Sequence, residues 1–207
     1  MKTLTTILSL SVLVMCIGGS ARADSFSVLV DTSALFGTYT LDFYVTDGNG
    51  TGDGNLAASV TNFSFGGGAV APGTITTFAG AGGDTSSGIS LVDSDFFSQW
   101  EQQFTAGSQL GFTVSLSASS LDSPFPDGFG FLIDEISSDD TLAGNLLFFE
   151  FDSLHPAPQT FNLLDYSGSP IGSVSATPLA TVPEPASAAL MAIGIAFAGL
   201  AHRRSRP

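Results

Sequence analysis

The chain has 207 residues, with five Lys or Arg against 19 Asp or Glu and a net charge of −14. Lys2, Arg22, Arg203, Arg204 and Arg206 all lie near the two ends, so Asp24 to Val182 holds every acidic residue but Glu184 and no Lys or Arg. Such a field repels phosphate backbones and anionic lipid, which excludes nucleic-acid binding, and it leaves no phosphate clamp or Schiff-base amine.

At the N-terminus Lys2 precedes an apolar run from Leu4 to Ile17, and Ala21-Arg22-Ala23 places small residues at the minus-three and minus-one positions of a signal peptidase site. A signal peptide over 1–23, cleaved before Asp24, is expected. Cys16, the only cysteine, falls inside it. The mature chain then has no disulfide, no thiol nucleophile and no cysteine metal site, and its stability must come from a packed core.

From Asp24 onward the chain reads in period two. Phe26, Val28 and Val30 alternate with Ser27 and Leu29, and Tyr39, Leu41, Phe43 and Val45 alternate with Thr40, Asp42 and Tyr44. Leu110, Phe112, Val114, Leu116 and Ala118 make the cleanest alternation. Further strands are expected at Ala58 to Phe65, Thr74 to Phe78, Phe129 to Ile136, Leu146 to Phe151, Thr160 to Leu164 and Gly172 to Ala176. Short strands punctuated by Gly, Asp, Asn and Pro suit an antiparallel sandwich. One segment departs from the pattern: Phe96, Phe97, Trp100 and Phe104 recur at helical spacing behind Asp93 and Ser94, either of which could cap a helix. A short helix packed on the sandwich edge is expected there. Burial is the expected role of its rings, with sugar stacking as the alternative.

Asp47-Gly48-Asn49-Gly50-Thr51-Gly52-Asp53-Gly54-Asn55 is the best candidate site. Oxygen-bearing side chains at Asp47, Asn49, Thr51, Asp53 and Asn55 alternate with glycines that let the backbone curl round a hard cation, which makes it a candidate calcium loop. Ala58 stands where an EF-hand requires a bidentate Glu, so that pattern fails, and a Gly/Asn/Asp hairpin loop is the competing reading. Asp134-Glu135 and Asp139-Asp140 form an acidic cluster beside a turn; paired carboxylates are the chemistry of glycoside hydrolysis, but a solvated loop explains them as well. His155 is the one histidine of the body and has no G-x-S-x-G elbow to serve. A carboxylate-based hydrolase is the only enzyme class left open, and a non-enzymatic protein is the favoured reading.

At the C-terminus Val182-Pro183-Glu184-Pro185 leads into an uncharged run, Ala186 to Ala201, and then His202-Arg203-Arg204-Ser205-Arg206-Pro207. The prolines keep the chain extended before the run. As a helix, residues 186–201 would span about 24 Å, short for a hydrocarbon core of about 30 Å, which suits a transient anchor. The arginines of 202–207 would stay cytoplasmic and place the acidic body outside the inner membrane.

This ordered set resembles the PEP-CTERM sorting signal of Gram-negative bacteria. The resemblance implies recognition of Val182, Pro183, Glu184, Pro185 and the Arg203, Arg204 and Arg206 cluster by an exosortase. It also implies removal of the helix and release to the cell surface or an exopolysaccharide matrix. The stretches Phe26 to Leu35 and Tyr39 to Phe43 are similar to the start of one recurring PEP-CTERM group, whose activity is unknown. The organisation expected is a signal peptide (1–23), one all-β, jelly-roll-like antiparallel sandwich with one short helix (24–178), a linker (179–182) and the sorting tail (183–207). The partners expected are the exosortase and secretion machinery, the membrane and no nucleic acid. The function expected is that of a matrix component without cofactor; a polysaccharide-binding module, with calcium at Asp47 to Asn55 and exposed aromatics such as Tyr44 or Trp100, is the alternative.

Overall fold

A computed structural model describes residues 24–121, 124–135, 145–153, 155–165 and 168–179. The expected signal peptide, including Ala21 and Ala23, the tail from Val182 to Arg206, and Asp139 and Asp140 lie outside the described residues. Among the described residues fifteen strands follow one another. They are β1 (Asp24–Asp31), β2 (Thr38–Thr46), β3 (Leu56–Ser64), β4 (Ala69–Val70), β5 (Thr76–Phe78), β6 (Ala81–Asp84), β7 (Gly88–Val92) and β8 (Phe97–Thr105). Then come β9 (Gln109–Ala118), β10 (Gly128–Glu135), β11 (Leu147–Glu150), β12 (Gln159–Thr160), β13 (Leu163–Leu164), β14 (Pro170–Gly172) and β15 (Val174–Pro178).

Two antiparallel sheets form the body. The first has the order β15-β1-β9-β3-β7-β6, the second β12-β11-β10-β2-β8-β4 with β5 also paired to β8, and β13 and β14 make a separate ribbon. Successive long strands change sheets: β1, β3 and β9 lie in the first, β2, β8 and β10 in the second. Most ladders therefore join residues far apart in sequence, such as Asp24 with Leu116 and Gly128 with Thr46.

The period-two pattern has a direct physical result. On β1, Phe26, Val28 and Val30 are buried, and on β9 so are Leu110, Phe112, Val114 and Leu116. Their rings and branches meet those of the second sheet. Phe112 stands edge-on to Phe43 at 5.2 Å, Phe43 stacks on Phe131 at 4.8 Å, and Phe26 contacts Phe149 at 4.8 Å. Aromatic pairs in these geometries contribute about 0.5–1.5 kcal/mol each beyond the area they bury. All of this core belongs to one compact unit, Ala21–Leu179, so residues 24–179 form a self-contained fold.

The expected helix at Phe96 to Phe104 is instead strand β8, and no helix occurs among the described residues. The inward side of β8 reads Ser98, Trp100, Gln102 and Phe104. Only two of those four positions are apolar, which hides the period of two, while Phe96, Phe97, Trp100 and Phe104 happen to fall at helical spacing. β8 takes its conformation from its partner: it pairs with β2 along its whole length, Thr38 opposite Thr105 through Thr46 opposite Phe97. Tertiary pairing outweighs local spacing here.

Trp100 is not an exposed sugar platform. It is fully buried, in ring contact with Phe43, and its Nε1 donates to the Gly83 carbonyl at 3.1 Å. Trp100→Ala should lower the unfolding free energy of residues 24–179 by about 3–5 kcal/mol in urea titration, the range for emptying a buried aromatic site. A loss below about 1 kcal/mol would mean that Trp100 lies outside the core.

Candidate functional site

Two places collect polar groups. The first is the loop between β2 and β3. Asp47 and Asn55, at its two ends, are buried, whereas Asn49, Thr51 and Asp53 are exposed. Asp47 turns inward: Oδ1 accepts from the backbone N–H of Asn49 at 2.9 Å and of Gly50 at 2.8 Å, and Oδ2 accepts from the N–H of Gly52. Asp53 accepts from the N–H of Asn55 at 3.1 Å, and Asn49 from that of Thr51 at 2.9 Å. Two fully buried aspartates from other segments fix the loop. Asp127 Oδ1 accepts from the N–H of Gly48 at 2.9 Å, and Asp93 Oδ2 from that of Leu56 at 3.0 Å. Gly48 is required by close approach, since a Cβ there would lie 2.1 Å from the Phe125 carbonyl oxygen.

The five expected ligands therefore divide, and the structure adds Asp93 and Asp127, which sequence spacing could not connect to the loop. Burial pushes the Asp93 carboxyl above the usual carboxylate range, against the Leu56 hydrogen bond, and the neighbouring Asp53 and Asp47 charges push the same way. Among the described residues no three acidic or histidine side chains are grouped to hold a metal ion. With three N–H donors on its carboxylate, Asp47 keeps about one lone-pair site for an ion.

The second place is the outward face of the second sheet, where strand pairing sets side chains in rows. One row runs Phe78 (β5), Gln99 (β8), Tyr44 (β2), Gly130 (β10), Phe148 (β11) and Gln159 (β12), each opposite the next. Tyr44 lies over Gly130, where a Cβ would fall 2.2 Å from its ring, and Phe148 leans over Gly128. The Tyr44 hydroxyl donates to Asn145 Oδ1, and Phe97 sits 5.6 Å from the Tyr44 ring. Beside Phe148 a cavity of about 440 Å³ is lined by Asn145, Phe148, Phe161, Asn162 and Leu164.

The neighbouring rows carry acids. Glu101 stands opposite Asp42, and Asp134 stands opposite Thr40, the next outward residue of β2. The Gln99 amide donates to Asp42 Oδ2 at 2.7 Å and to Glu101 Oε1 at 3.1 Å, bridging the pair. Asp42 is only 4% exposed, and its Oδ1 has no hydrogen-bond partner among the described residues. Burial pushes Asp42 up to about 7 against the Gln99 bond, and the Glu101 and Asp134 charges add to the shift. Burial, reinforced by Glu101, pushes Asp134 up to about 6. Of the expected acidic cluster, then, Asp134 joins Asp42 and Glu101, two acids from distant strands.

Two expectations follow for residues 24–179. Millimolar calcium decides the loop's role: an unmoved melting temperature would sink the metal, whereas binding at a hundredfold excess over Kd would stabilise by about 2.7 kcal/mol, a shift of several degrees. The acid row gives a sign to the pH dependence. Folded Asp42 holds a proton that the unfolded chain releases above about 3.8, so the folded state binds more protons between there and about 7. This contribution is full below about pH 4 and is lost as pH rises through 7. Melting at pH 5 should exceed melting at pH 8 by several degrees, and Asp42→Asn should flatten the slope. An unchanged slope in that variant would remove Asp42 from the account.

No curated protein and no solved structure matches the chain. One family model does, the PEP-CTERM protein-sorting motif, over residues 181–206. That match covers Pro183-Glu184-Pro185, the apolar run and the arginines, and leaves the function of the β body open. The chain thus carries a PEP-CTERM sorting motif, the mark of an exported protein that an exosortase sorts toward the cell surface.

Proposed function

We propose that this protein is a non-enzymatic component of the cell surface or extracellular matrix, freed of its signal peptide on export and of its tail by an exosortase. The observation that carries this reading is a sorting motif joined to a body without Lys or Arg. A body of that charge stays hydrated and does not adhere to phosphate or anionic lipid. Outward Ser and Thr on β1, β3 and β9 (Ser27, Ser59, Thr113, Ser115) add hydroxyl groups to that surface. The short helix expected at 186–201 serves as a membrane stop only until processing.

Intact mass of the protein from exosortase-bearing cells should show a chain that starts at Asp24, ends near Glu184 and is recovered from the surface or matrix fraction. In cells without the exosortase it should keep Arg203 to Arg206 and stay with the membrane. A chain that keeps its arginines in both strains would mean a permanent anchor and overturn the sorting step.

A further inference from the structure

We infer that the outward face of the second sheet is a binding site for an uncharged, hydroxyl-rich polysaccharide, with the cavity beside Phe148 as its anchoring subsite. This rests on the reading of the protein as a surface or matrix component and names the polymer class that it contacts.

The row across the sheet alternates ring and amide: Phe78, Gln99, Tyr44, the Gly130 gap, Phe148 and Gln159. With strands about 4.8 Å apart, its five steps cover roughly 24 Å, the length of a short run of sugar units. Sugars present an apolar C–H face and a rim of hydroxyls. Flat rings take the face, and amides and carboxyls take the rim. Phe78 and Phe161 are about half exposed, at 50% and 48%, so their rings are accessible to a ligand. The open depression beside Phe148 repeats the same chemistry, with the rings of Phe148 and Phe161 beside the amides of Asn145 and Asn162.

Charge selects the class. Glu101 and Asp134 line the adjoining rows, with no Lys or Arg in the body to offset them, so polyuronates and nucleic acids are repelled.

The test is affinity electrophoresis of residues 24–179 through gels holding hydroxyethyl cellulose, dextran or a galactomannan, with alginate as the polyanionic control. Retardation is expected in at least one neutral gel and not in alginate. Phe148→Ala, Phe78→Ala and Asn162→Ala should each weaken it, the ring truncations by about tenfold, the scale of one lost ring contact. Leu29→Ala, on the first sheet, should not. Phe78 and Asn162 are exposed, so these variants keep the test valid if Phe148→Ala unfolds. No retardation in any neutral gel, equal retardation in alginate, or retardation indifferent to all three substitutions would overturn the site. The protein's recovery from the matrix fraction would be unaffected by that failure, so the two readings can fall separately.

Discussion

Between Asp24 and Val182 there is no Lys or Arg, and every carboxylate of the body must be accommodated without a guanidinium or ammonium partner. Backbone N–H groups, amides and Ser hydroxyls take that role for most of them, and the His155 ring meets Asp24 at 2.7 Å. Asp47 is held by three loop N–H groups, Asp127 by Gly48, Asp93 by Leu56 and Asp42 by the Gln99 amide. On the surface Asp31, Asp84 and Asp165 cap their own turns through Ser33, Ser86 and Ser169. Charge-assisted bonds of this kind are stronger than neutral ones and need no ion pair. They also set the protonation of each group. Asp84, served by the Ser86 hydroxyl and two N–H groups, is pulled down to about 2, whereas Asp42, buried with one amide, rises to about 7.

The same composition places the burden of stability on the core. With no disulfide available, cohesion comes from rings interleaved between two sheets, centred on Phe43 and its contacts with Phe63, Trp100, Phe112 and Phe131. That core is built from strands that alternate between sheets, so the outward face of the second sheet is assembled from β2, β5, β8, β10 and β11 together. Its ring row and its acid row exist only in the fold. Dipoles hold the acids, glycines at 128 and 130 admit the rings, and the result is a polar, cation-free face.

The all-β class was legible because β1, β3 and β9 alternate in sequence as they do in burial, and β2 and β10 place apolar residues at every second position. What stayed hidden did so for identifiable reasons. β8 places Ser98 and Gln102 on its inner side, so its apolar spacing imitates a helix until β2 is laid against it. β7 is five residues long, with Ile89, Leu91 and Val92 among Gly and Ser, too short to register as a strand. Asp42 reads as an ordinary outward residue of an alternating strand; its burial comes from β8 and β10, more than fifty residues away. The loop from Asp47 to Asn55 was recognisable from its glycines and oxygens. Its inward turn onto Asp93 and Asp127 was not, since those residues belong to separate turns.

The sorting motif and the β body answer different questions. The motif directs the chain outward, and the body must then persist there as a hydrated, strongly acidic domain without Lys or Arg partners. Whether dipoles and burial set the state of its carboxylates is measured most directly by titrating the aspartate carboxyl carbons of residues 24–179 by NMR. The account predicts a wide spread, with Asp42 titrating near 7, Asp134 near 6 and Asp84 near 2. A set of aspartates that all titrate together around the ordinary value of about 3.9 would contradict it.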